Sequence, residues 1–153
     1  MKTSHQPASE IGANIQAMYQ ELILDHYRKP RNKGELENPD RVVPMANPLC
    51  GDEIFLHVKF DGDRVSALKF TGRGCSISQA AASMMTESVK GKTAAEATAL
   101  WQRYHAMILG DQDAARDKAL GPLRSLSGVS KFPARVRCAL LAWNALEEAL
   151  EGK

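Results

Sequence analysis

The chain has 153 residues, 44% hydrophobic and 25% charged, with a formal net charge of +2; this fits one domain with an ample core and excludes extensive disorder. Twenty Lys and Arg stand against 18 Asp and Glu, and no basic stripe with interleaved aromatics runs along the chain, so nucleic acid is not an expected partner. No apolar run approaches the roughly 20 residues of a membrane span and no hydrophobic signal core follows Lys2, which leads to the expectation of a cytoplasmic protein with no membrane partner.

Residues 1–11, with Ser4, Pro7 and Ser9, lack periodicity and are expected to form a mobile tail ahead of a single domain, residues 12–153. From Asn14 onward, Ile15, Met18, Leu22 and Ile23 recur at helical spacing until Lys29-Pro30, which predicts a first amphipathic helix. Arg28, Lys29, Arg31 and Lys33 then cluster in a turn-rich stretch, readable as a solvated loop or as a dock for an acidic patch on a protein partner. Residues 41–45 predict a short edge strand, because Pro44 cannot donate to a central ladder. Ile54, Leu56, Val58 and Phe60 alternate with Glu53, Phe55, His57 and Lys59, the period of a half-buried strand, and this places His57 on the polar face. Asp61-Gly62 marks a hairpin, and residues 65–70 return as its second strand.

After Gly72-Arg73-Gly74-Cys75, a run rich in alanine and methionine predicts a helix ended by Gly91. Thr93, with Glu96 three residues on, has the form of a capping box opening a helix to about Leu109. Residues 111–120 predict a short helix broken at Gly121-Pro122, with residues 125–128 prolonging the interruption. The last helix starts at Pro133 and is expected to bury Val136, Leu140, Trp143, Leu146 and Leu150 on one stripe, with Cys138 on a different row. A helix, a small antiparallel sheet of about three strands and then several helices predict an α+β fold with helices packed on one face of the sheet. No G-x-G-x-x-G or P-loop is present, so dinucleotide and ATP chemistry have no support.

The three cysteines, Cys50, Cys75 and Cys138, each fall at a junction between predicted elements. An odd count in a reducing compartment argues against a disulfide framework. Three thiolates with the carboxylate of Asp52 would complete a tetrahedral shell for one divalent metal, with zinc the preferred ion. Cys75 and Cys138 sit near helix starts, where the partial positive charge of the first turn suits an anionic ligand. Taken singly, each cysteine also reads as a small buried apolar residue. His26, His57, His105, Met84, Met85 and Trp143 read as structural.

Pro48-Leu49-Cys50-Gly51-Asp52, Gly72-Arg73-Gly74-Cys75-Ser76-Ile77-Ser78 and Phe132-Pro133-Ala134-Arg135-Val136-Arg137-Cys138 resemble, in order and context, three motifs of the U-type iron-sulfur assembly proteins. Asp25-His26-Tyr27-Arg28-Lys29-Pro30-Arg31-Asn32-Lys33-Gly34 is similar to the signature that follows their first helix, so the likeness spans about residues 18–150. Arg137 stands where the scaffold branch has histidine, and a guanidinium cannot ligate a metal. Together with the long stretch of residues 101–128, this resembles the zinc-dependent sulfurtransferase branch of the SUF system, the SufU type. The resemblance implies zinc held by Cys50, Asp52, Cys75 and Cys138, and Cys50 as acceptor of a persulfide sulfur. It implies a pyridoxal-phosphate cysteine desulfurase (SufS-like) as donor and an iron-sulfur scaffold (SufBCD-like) downstream. Arg135 would assist catalysis by bonding Asp52 or the departing Cys50. The alternative it leaves is a scaffold that binds a transient iron-sulfur cluster.

Overall fold

In the computed structural model, which describes residues 8–151, with side chains from Ile15, one antiparallel sheet runs in the order β1 (Arg41–Asn47), β2 (Asp52–Asp61), β3 (Arg64–Arg73). The period-2 pattern sends Ile54, Leu56 and Val58 to one face, all fully buried. The register sets Val43 opposite Leu56 and Leu56 opposite Phe70, so apolar side chains line up across all three strands. Each such side chain contributes about 1.5–3 kcal/mol by leaving water. β1 is an edge strand, as Pro44 requires. The other edge, β3, is closed by the basic loop: Phe70 N donates to the Asn32 carbonyl (3.0 Å) and Gly34 N to the Phe70 carbonyl (2.8 Å). The expected solvated face at His57 is not found; the residue is 8% exposed. Gly34 bonds the outer edge of β3 while Asp40 N bonds the Val58 carbonyl on β2, so the chain between them crosses the sheet's width at that level.

Helix α1 (Ala8–Arg28) starts earlier than its apolar periodicity; residues 1–7 of the expected tail lie outside the described residues. Its stripe is buried only in the second half. Ile15 and Met18 are exposed, whereas His26 is 3% exposed and its Nδ1 lies 2.8 Å from Ser83 Oγ on α2 (Ser76–Val89). Ser83 Oγ also accepts the Arg31 backbone N–H at 2.8 Å, and burial lowers the His26 pKa, which favours the neutral imidazole. One hydroxyl thereby ties α1, the basic loop and α2 together.

The capping box is formed: Glu96 N donates to Thr93 Oγ1 and Thr93 N to Glu96 Oε1, opening α3 (Ala94–Ile108). After the single turn α4 (Gln112–Ala115), the chain does not stay irregular through residues 125–128. A 3₁₀ segment occupies Lys118–Lys131, kinked at Gly121. Leu120, Leu123, Leu126 and Val129 are all buried, and their spacing of three is the 3₁₀ repeat, giving one apolar stripe. It packs against α1, α3 and α5 (Pro133–Glu151).

α5 touches β1, β2, α2 and α3 as well. Its buried face differs from the expected stripe: Trp143 and Leu146 are fully buried, but Val136, Leu140 and Leu150 only partly so. Ala139, Ala142, Ala145 and Ala149 take their place, because a helix surrounded on several sides needs small residues for close approach. Cys138 belongs to this buried face. Trp143 stacks on Tyr104 and Trp101 of α3 at 4.7 and 5.8 Å, and Tyr104 Oη donates to the Ala139 carbonyl at 2.7 Å. The long stretch after Trp101 is thereby anchored to the helix that carries Cys138. Among the described residues no helix is long and apolar enough to cross a membrane.

Candidate metal centre

The sheet, α2 and α5 converge where the cysteines lie. Between β1 and β2, Cys50 N donates to the Asn47 carbonyl at 3.1 Å, closing a turn with Pro48 at its favoured second position. Gly51 then takes φ +70°, a left-handed conformation that suits glycine, and turns the chain into β2 at Asp52. The Cys50 thiol is left exposed and Asp52 is buried, 1% exposed.

Asp52 Oδ1 accepts the Cys75 backbone N–H at 2.9 Å. Cys75 is the residue preceding α2, in extended conformation and half-buried. A Cβ on Gly74 would collide with Asp52 Oδ1 and Ser78 Oγ, so the carboxylate can reach over the start of α2 only because that position is glycine. From the opposite side, Cys138 in the second turn of α5 is fully buried. The carbonyl of Ala134 receives both the Cys50 and the Cys138 thiols, at 3.9 and 3.8 Å.

Ligand atoms of Cys50, Asp52 and Cys138 all lie within 4.8 Å of one another. The edge of a tetrahedron with metal–sulfur bonds of about 2.3 Å is about 3.8 Å, so a small contraction would close them on one ion. Cys75 stands just outside this group, beside Cys138. The second oxygen of Asp52, Oδ2, is buried with no hydrogen-bond partner. A buried carboxylate oxygen without a partner is costly, and a cation supplies the missing interaction. Soft sulfur donors with one carboxylate suit a divalent ion of the zinc type. Among the described residues, Cys50, Asp52 and Cys138 form a group fit to hold a metal, and Cys75 lies adjacent to it.

Two features set the charge of the site. Burial first, and then hydrogen bonds to Asp52, Cys50 and Cys75, push the Cys138 thiol far above the usual cysteine range. Desolvation therefore outweighs the helix start, and metal binding at Cys138 must displace a proton. Arg135 is exposed, and its guanidinium faces the sulfurs of Cys75 and Cys138, which hold its proton more firmly still. The expected contacts were Asp52 and Cys50. From the first turn of α5, Arg135 sits where it can offset negative charge on the two thiolates tied to helices. Arg137 is exposed, and His26, His57 and His105 take no part in the group. Sequence reasoning missed Ser78, whose hydroxyl donates to the Cys75 carbonyl at 3.1 Å, and Ala134, which acts through its backbone and leaves no side-chain signal.

A thiol-rich metal pocket at one end of a three-stranded sheet, closed by the starts of two helices, defines a small metal- and sulfur-handling domain. The chain belongs to the NifU-like N-terminal domain family, whose profile matches residues 18–151. It is 50% identical over 139 residues to the zinc-dependent sulfurtransferase SufU of Bacillus subtilis, covering 90% of this chain and 92% of that protein. It is 42% identical to the iron-sulfur cluster assembly scaffold protein IscU of Streptococcus pyogenes, covering 91% and 86%. A crystal structure from Fervidobacterium islandicum AW-1, described as an iron-sulfur cluster assembly scaffold protein for the SUF system, superposes with a TM-score of 0.80 at 39% identity, covering 88% of this chain and 98% of that one.

Proposed function

We propose that the protein is a zinc-dependent sulfurtransferase of iron-sulfur cluster assembly in the SUF system, with Cys50, Asp52, Cys75 and Cys138 as metal ligands and Cys50 as sulfur acceptor. The observation that carries this reading is the asymmetry of the thiols: Cys138 is buried, Cys75 half-buried and Cys50 exposed. Cys75 and Cys138 are anchors on helices. Cys50 rides a turn held by one backbone bond to Asn47 and a long thiol contact to Ala134, so shifting it breaks little.

Zinc, when bound, keeps the thiols deprotonated and undergoes no redox change. The Cys50 thiolate attacks the outer sulfur of a persulfide on the donor's cysteine. A new S–S bond forms at Cys50, the donor's S–S bond breaks, and the donor's cysteine leaves as a thiolate. Oxidation level is conserved, so no outside oxidant or reductant enters. An acceptor thiol downstream repeats the exchange. Arg135, beside Cys75 and Cys138, balances the charge left when Cys50 departs.

The donor is a pyridoxal-phosphate cysteine desulfurase of the SufS kind, and the sulfur passes to a SufBCD-like scaffold, in the cytoplasm, where thiols stay reduced. Support for a protein donor comes from the rim. Leu49 and Phe132 are 79% and 61% exposed, on the two loops joined by the Cys50–Ala134 contact. Lys131, Arg135 and Arg137 lie exposed beside them, a face suited to an anionic persulfide. The test is Cys50→Ala: a folded variant should accept no sulfur, and one that still relays it from the desulfurase would remove the acceptor role.

The relatives named as scaffolds motivate a second reading, a site that assembles a transient cluster. Anaerobic reconstitution with iron and sulfide separates the two: firmly held zinc supports the transferase, and a stable, stoichiometric, transferable cluster supports the scaffold.

A further inference from the structure

The cationic stretch after α1 takes no part in the metal centre, and it is not a free loop. The Arg31 backbone N–H donates to Ser83 Oγ at 2.8 Å, Asn32 Nδ2 to Thr86 Oγ1 at 3.1 Å and Lys33 Nζ to Gln79 Oε1 at 3.3 Å. Three successive residues are thus fastened along α2, while the bonds of Asn32 and Gly34 to Phe70 fasten the stretch to β3. Asn32 takes φ +58°, a left-handed conformation in which asparagine is enriched. The backbone that carries these charges is held in place.

Beside it, Arg31, Asn32, Glu87 and Lys90 line an open groove of about 360 Å³. Arg28, Lys29, Lys33 and Lys90 are exposed, and among the described residues none of the four takes part in an ion pair. The carboxylates nearby already have partners: Asp25 pairs with Arg31 at 2.7 Å, and Glu87 faces His26 at 3.7 Å. Five cations against two carboxylates leave an excess of three positive charges here, more than the +2 of the whole chain. Just past the end of α2, Arg64 Nη1 donates to the Gly91 carbonyl at 2.7 Å, which offsets the negative end of that helix. Tyr27, next to Arg28 in the chain, is 45% exposed and adds an aromatic side chain of the kind enriched in protein interfaces.

We propose that this groove docks an acidic segment of a partner polypeptide, whose carboxylates pair with Lys29, Arg31 and Lys90. The groove is open and lies near the lower end of the roughly 300–1,000 Å³ of ligand pockets, so it suits the side chains of a docked chain better than a free small molecule. Exposed ion pairs are individually weak; several at fixed positions are needed, and the pinned backbone supplies them. Charge complementarity of this kind speeds encounter and orients the partner. At 1.5 Å per residue, Ser83 to Lys90 lie about 12–22 Å along α2 from Cys75. The groove is therefore separate from the thiols, and the inference stands independently of the metal reading.

The test titrates the full ¹⁵N-labelled chain with a decaglutamate peptide at low salt and follows the backbone amide resonances. Shifts should concentrate at residues 28–33 and 87–92 and fade as salt is added. The double variant Lys29→Glu/Lys90→Glu changes two exposed side chains, so it should melt with the unaltered protein and bind the peptide at least about tenfold more weakly. No shifts, shifts centred on Lys131, Arg135 and Arg137 instead, or equal affinity in a folded double variant would overturn the proposal. An oligothymidylate of the same charge should bind the groove no more tightly than the peptide; binding at least about tenfold tighter would make this a nucleic-acid surface and overturn it as well.

Discussion

Substituting Gly74→Ala isolates the packing that aims Asp52 at the site. The added methyl would occupy space held by Asp52 Oδ1 and Ser78 Oγ. Gly74 is absent from the residues with positive φ, so alanine meets no backbone strain there and the effect is one of contact alone. To make room, the carboxylate must leave the Cys75 N–H, now at 2.9 Å. Loss of a hydrogen bond to a charged group costs about 1.5–3 kcal/mol, and overpacking costs about 1–3 kcal/mol. Because one displacement relieves the clash and breaks the bond, the two overlap, and the net loss is about 2–3 kcal/mol. For a chain of this size each kcal/mol lowers Tm by roughly 2–4 °C, so a fall of about 4–12 °C is expected. Circular dichroism melts in the presence of chelator measure it. Zinc affinity should drop about 10–100-fold with the displaced carboxylate. Gly128→Ala is the control, because an added Cβ there meets nothing within 4 Å, and it should stay within about 0.5 kcal/mol. A Gly74→Ala protein with the Tm of the control and unaltered zinc affinity would refute the reasoning.

Arg135→Ala should retain zinc but accept sulfur at least about tenfold more slowly, a loss of about 1.4 kcal/mol in the transition state; an undiminished single-turnover transfer rate would remove its role. His26 is held below its ordinary value of 6.5 chiefly by burial and then by Arg31, against the opposing pull of Glu87 and Asp25. The unfolded chain therefore takes up this proton first, so stability present above about pH 6.5 is lost as pH falls below it, by up to about 1.4 kcal/mol per unit. Urea unfolding at pH 5, 6 and 7 should show the slope, and His26→Gln should flatten it; equal slopes in the two proteins would contradict the neutral, buried imidazole. Tyr104→Phe keeps the stacking on Trp143 and loses only the bond to the Ala139 carbonyl, a cost of about 1 kcal/mol in urea unfolding. An unchanged midpoint would mean that the hydroxyl bond adds nothing.

The strands and the α3 cap were legible because their signals are local: alternation over Ile54, Leu56 and Val58, and Thr93 three residues before Glu96. The ligand candidates were legible because so few residue types hold a metal, and because each candidate lies at the edge of an element. What could not be read were juxtapositions between distant segments. Nothing local in α1 says that His26 and Ser83, 57 residues apart, share a hydrogen bond. The burial of Cys138, on a different row from Trp143 and Leu140, was not legible because α5 is surrounded on several sides, so its alanines are as buried as its large residues. That Arg135 lies beside Cys75 was hidden for the same reason: its position on the helix was visible, but the direction of the start of α2 was not. The repeat Leu120, Leu123, Leu126, Val129 was present throughout; Gly121-Pro122 hid it by resembling a simple break.

The account stands most directly on where the sulfur lands. Zinc-loaded protein incubated with a cysteine desulfurase and cysteine, then examined by intact mass and peptide mapping, should gain about 32 Da, one sulfur atom, on the peptide containing Cys50, and Cys50→Ser should gain nothing. Sulfur carried on Cys75 or Cys138, or a chain that gains none, would contradict it.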